Sequence, residues 1–109
     1  MSNADADWIR SVFERLVGSG ADILTRITFE SGNIFVLNYL SEWEEDDVPE
    51  AERDRVGAWA GAIVGSENLS DWHAKLFRAG SGIVFAGSEI VRIEDELTRE
   101  VLFSRAEPR

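Results

Sequence analysis

The chain has 109 residues, 44% of them hydrophobic, and its 21 acidic side chains against 11 basic ones give a net charge of −10. A surface of that sign repels a phosphate backbone or an anionic membrane at long range, so neither is expected as a direct ligand. The sequence holds no cysteine, which excludes disulfides, thiolate zinc sites and a cysteine nucleophile.

The longest uncharged run, Val56 to Ser66, is far shorter than the ~20 apolar residues that span a bilayer, and no signal peptide precedes the first helix. Residues 1–109 are therefore expected to form a single soluble, cytoplasmic domain with enough apolar material for its own core.

From Asp7 to Val17, the residues Trp8, Ile9, Val12, Phe13, Leu16 and Val17 fall on one stripe of a helix. Asp5 or Asp7 can cap its first turn, and Gly18 and Gly20 end it. Ile23 to Glu30 alternates as a half-buried strand, with Ile23, Thr25, Ile27 and Phe29 on one side and Leu24, Arg26, Thr28 and Glu30 on the other. Ser31, Gly32 and Asn33 supply a tight turn, so Ile23 to about Leu40 is predicted to be a β-hairpin.

The second strand runs into the densest charge in the chain. Between Glu42 and Asp54 eight acids stand against the single base Arg53, and Trp43 lies among them. Like charges so close repel one another and stay solvated, so the run is either a spacer or a surface for something positive. It lacks the acid spacing and the glycine of a calcium loop, and no metal site is expected there.

Pro49 can open a helix, and Val56, Trp59, Ala60 and Ile63 share one helical face, with Gly57 and Gly61 leaving a groove for another backbone. Ser70 caps a second candidate helix, with Trp72, Leu76 and Phe77 inward and Gly80 at its end. Gly82 to Gly87 and Glu89 to Ile93 read as short strands before the apolar-rich segment 98–104. A competing reading makes Glu89 to Phe103 one helix. The resulting fold class is α+β: a small antiparallel sheet or partly open barrel, an N-terminal helix, and one or two helices between the second and third strands.

The segment Gly82 to Glu94, GIVFAGSEIVRIE, resembles the second motif of Sm-like proteins, in which a strand, an Arg-Gly pair and a second strand close a small barrel. A helix before a β-hairpin is similar to that family too, and Gly32 and Ser41 can be laid on its first motif. The chain departs from the pattern where Ala86 stands at the position of the RNA-contacting arginine, Glu89 at the neighbouring asparagine, Leu37 at a glycine and Trp43 at an aspartate. The resemblance implies a small barrel or curved sheet that forms homo-oligomers by edge-strand pairing, without RNA in the family's pocket.

His73 is the sole histidine, and the sequence carries neither a G-x-S-x-G segment nor a Gly-rich phosphate loop. An enzyme using Asp or Glu with His73 is the least favoured reading, and no cofactor is expected. The favoured one is a non-enzymatic acidic protein that docks on a basic surface of a protein partner. Its binding residues are expected to be Trp43, Glu44, Glu45, Asp46, Asp47, Glu50 and Glu52. In size and charge it is similar to small acidic proteins of phage origin that inhibit nucleic-acid-handling proteins, such as anti-CRISPR and anti-restriction DNA mimics. An Sm-like homo-oligomeric interaction module is the alternative.

Overall fold

The computed structural model describes residues 3–43, 57–67, 69 and 80–105. Helix α1 (Asn3–Leu16) starts four residues earlier than the apolar stripe predicts, which puts Asp5 in its first turn, near the positive end of the dipole. Ala6, Ile9, Val12, Phe13 and Leu16 are buried, and Gly18, with φ +88°, ends the helix in the left-handed region. Trp8 and Val17, at the flanks of the stripe, stay 44% and 39% exposed.

Six strands follow: β1 (Thr25–Phe29), β2 (Ile34–Trp43), β3 (Ala58–Glu67), β4 (Gly82–Ala86), β5 (Ile90–Asp95) and β6 (Val101–Ser104). They form one antiparallel sheet in the order β4-β3-β2-β1-β5-β6. The predicted hairpin is β1–β2, with Thr28 opposite Ile34 and Gly32 at φ +89° in its turn. The strand readings of Gly82 to Gly87 and Glu89 to Ile93 hold as β4 and β5, and the single-helix reading of Glu89 to Phe103 does not.

The expected helix over Val56 to Gly65 is strand β3 instead. Its residues alternate, with Trp59 and Ile63 buried in the core and Ala60, Ala62 and Val64 more open. The β-branched Ile63 and Val64 and the glycines favour an extended chain over a helix that would lose about 1 kcal/mol at each interior glycine. The close backbone approach read from Gly61 is nevertheless present, within the sheet. Tyr39 and Leu40 both stand opposite Gly61, and Tyr39 takes a φ of +50° at this bulge. The predicted helix over 70–79 lies outside the described residues.

Strands β4 and β5 are joined by one 3₁₀ turn, Gly87–Glu89, yet β3, β2 and β1 lie between them in the sheet. On a flat sheet they would be about 19 Å apart, further than three residues reach at ~3.5 Å each. The sheet must therefore curl. Phe85 of β4 accordingly lies 5.3 Å, centroid to centroid, from Phe29 of β1. Helix α1 fills the hollow of the curl, with Phe13 stacked on Trp59 at 4.7 Å and Trp8 edge-on to Phe103 at 4.9 Å.

Candidate docking surfaces

Both ends of the acid-rich connection are fixed by the sheet. Trp43, the last residue of β2, pairs with Ala58, the first of β3, and Glu42 pairs with Trp59. Adjacent partners in an antiparallel ladder are ~5 Å apart, so the connection leaves and re-enters the sheet at one point. Residues 44–57 carry seven acids and two arginines. Arg10 of α1 stands at this point, 3.2 Å from Glu42 and 3.4 Å from Glu14, with its guanidinium over the Trp59 ring.

Of the residues expected to bind a partner, only Trp43 is described. It is 53% exposed, so its indole is available as an interface anchor rather than spent in the core. Glu44, Glu45, Asp46, Asp47, Glu50 and Glu52 lie outside the described residues, as does His73. Among the described residues no group of three metal-ligating side chains comes together, and no helix is long and apolar enough to cross a membrane.

A second surface was not legible in the sequence. Where the curl brings β4 towards the β1–β2 turn, a cleft of about 450 Å³ remains open. Its floor is Phe29, Phe35, Ile83 and Phe85, and its rim includes Glu30, Ser31, Asn33 and Glu89. The rim is held from behind by Arg105, which donates to the carbonyls of Ser88 and Ile90 at 2.6 Å and pairs with Glu30. The Glu30 N–H in turn donates to the Glu89 carbonyl at 2.8 Å.

The opposite face of the sheet carries a charged cluster around Arg26, which shares a side of the alternation with Thr28 and Glu30 and is only 8% exposed. Arg26 bonds Glu67 at the end of β3 and, at 3.3 Å, Glu96 beyond β5. Its guanidinium beside Glu67 holds that carboxyl below the ordinary carboxylate range, and Glu67 pushes the guanidinium higher still. The Asp95 carboxylate accepts from the backbone N–H groups of Thr98 and Leu97, which lower its proton affinity in the same way. Arg26, Glu67 and Glu96 thus link β1, β3 and the β5–β6 turn, while Asp95 is satisfied within that turn.

No family model matches the chain, and no characterised protein or solved structure matches it either.

Proposed function

We propose that this is a non-enzymatic binding protein whose β2–β3 connection docks on a basic surface of a protein partner. One observation carries the reading: the run of carboxylates is mounted between paired strand ends, Trp43 and Ala58, with an exposed indole at its base. Charge concentrated at one end of a rigid sheet steers encounter with a positive surface, while an aromatic anchor supplies contact area that charge alone does not. Inhibition of a nucleic-acid-handling protein is one outcome such docking would have, because the positive grooves of those proteins suit a body of charge −10.

The test is the variant in which Glu44, Glu45, Asp46 and Asp47 become Gln or Asn, used with a partner captured from the native host. The association rate should fall at low salt and converge on that of the parent chain at high salt, with the melting temperature unchanged or slightly raised. An association rate equal to that of the parent at low salt overturns the reading.

A second reading rests on the two strands at the ends of the sheet. Among the described residues nothing pairs with the outer side of β4 or of β6, and edges of this kind can join copies of one chain. The helix ahead of the β1–β2 hairpin, and the short turn between β4 and β5 in a curled sheet, support the Sm-like resemblance that implies such assembly. Two bodies of charge −10 must then meet, so self-association should strengthen as salt is added. Light scattering across ionic strength tests it, and a monomer at every salt concentration rules it out.

A further inference from the structure

We infer that the outer edge of β4 and the cleft beside it form a second binding site, which takes an extended peptide segment by strand addition. The segment carries apolar side chains at alternate positions and is flanked by Lys or Arg. The inference rests on the proposed binding role but draws on no side chain of the acidic connection, whose last residue, Gly57, accepts from Gly87 N–H at the end of β4.

The backbone sets the first part of the argument. Ile63 N–H donates to Ser81 O, and Gly87 N–H donates to Gly57 O. In an antiparallel ladder the bonded pairs alternate, so between these two lie the bonded pairs Gly61 with Ile83 and Trp59 with Phe85. Ile83 and Phe85 thus direct their amides at β3, whereas Gly82, Val84 and Ala86 direct theirs away from it. Among the described residues no strand lies beyond them. A strand laid along this edge would find donors and acceptors at every second residue, which is how strand addition obtains its affinity.

Side chains set the second part. Ile83 and Phe85 face inward, Phe85 being buried and Ile83 partly so, while Val84 is 50% exposed on the other face. On an added strand, the residues opposite Ile83 and Phe85 would point inward as well, into the 450 Å³ cleft floored by Phe29 and Phe35. That volume holds one or two large apolar side chains, and the alternation required of the ligand follows from the pleat.

Charge selects among occupants. Glu89 is exposed at the rim, with no cation partner for its carboxylate among the described residues, and Glu30 stands across from it on the same rim. A basic flank on the peptide complements Glu89, Glu30 being already paired with Arg105, and the overall charge of −10 favours a cationic ligand over a second copy of this chain.

The probe is a synthetic peptide of alternating Thr and Val or Phe with two Lys at each end, titrated into the full chain at physiological salt. A scrambled peptide of the same composition serves as control. Binding of the alternating peptide should slow amide exchange at Val84. Val84→Pro removes the outward donor without breaking a bond to β3 and should weaken binding about tenfold. Glu89→Lys should weaken it about threefold while leaving the fold intact. The variant neutralised at Glu44 to Asp47 should retain binding, so failure of the acidic connection and failure of this site are read separately. Equal binding of the scrambled peptide, or unchanged affinity in Val84→Pro with native amide exchange elsewhere, overturns the inference. So does a Val84→Pro variant whose only change is the loss of a dimer, which would assign the edge to a second copy.

Discussion

Replacing Gly61 by Ala tests the close approach of β2 to β3 at the bulge. A Cβ built on Gly61 would lie 3.0 Å from Leu40 Cδ2, 3.3 Å from the Asn38 carbonyl oxygen and 3.3 Å from Leu37 Cβ. The leucine methyl can swing aside, but the carbonyl and the Cβ belong to the bulged backbone of β2 and cannot, so the two strands must separate by a few tenths of an ångström. Overpacking of this kind costs about 1–3 kcal/mol. Because the backbone of Gly61 is not in the left-handed region, the loss of glycine's freedom in the unfolded chain returns about 0.4–1 kcal/mol. The net loss is about 1–2 kcal/mol, or a fall in melting temperature of roughly 5–10 °C for a domain of this size. Gly65→Ala is the internal control, because its Cβ would meet only Val36 Cβ at 4.0 Å, an ordinary contact, and the change should be neutral or slightly stabilising. Thermal unfolding followed by near-ultraviolet circular dichroism, which reports the buried Trp59, measures both variants. If Gly61→Ala melts at or above the parent temperature, β2 and β3 are not pressed together here and the bulge has another cause.

Thr25→Val should raise stability by about 1 kcal/mol, because Thr25 is fully buried and its Oγ1 has no hydrogen-bond partner among the described residues; chemical denaturation that finds the variant less stable would reveal a bond through water or another segment. Glu67 and Asp95 have folded proton affinities below their ordinary values, so the stability they supply is complete above the carboxylate range, near pH 4, and is lost as pH falls through the lowered folded values. Arg26→Met should remove the Glu67 part of that acid dependence while lowering stability at neutral pH, as urea unfolding at a series of pH values would register. Arg105→Ala should cost about 2 kcal/mol by releasing the Ser88 and Ile90 carbonyls and Glu30, and hydrogen exchange at the Glu30 amide should accelerate with it. Slow exchange retained at Glu30 would mean that the 3₁₀ turn stands without the arginine.

The parts of the fold that were readable in the sequence are those with local signals. The stripe of Ile9, Val12, Phe13 and Leu16, the glycine stop, the turn at Gly32 and the β-branched run at Ile90 all reside within one element or its turn. Strand β3 was misread because Trp59, Ala60 and Ile63 satisfy a helical face as well as a pleat, and only tertiary context decides; Gly61 signalled a close backbone approach correctly but not from which element. Arg26 falls on the side of the alternation shared with Leu24, Thr28 and Glu30, and its burial there comes from Glu67 and Glu96, 41 and 70 residues away. The cleft was invisible for the same reason. Phe29, Phe35 and Phe85 stand on three different strands, and it takes the curl to bring β4 over the β1–β2 turn. Of the expected binding residues only Trp43 lies among the described ones, where it is exposed and pairs with Ala58.

The position of β1 has a consequence for how the chain is made. Its two neighbours are β2, which begins five residues after it, and β5, whose Asp95 meets Thr25 only near the end of the chain. The meander from β1 to β4 can form in the order in which it is synthesised, but the far side of β1 has no partner until β5 emerges. Arg105, which fastens the turn between β4 and β5, comes later still. A nascent chain paused before residue 90 therefore presents β1 as the open edge of its unfinished sheet, free to pair with other chains, whereas one released beyond residue 105 can seal itself. Slow codons ahead of β5 should thus lower the yield of soluble protein from the same amino-acid sequence, whereas slow codons beyond residue 105 should not.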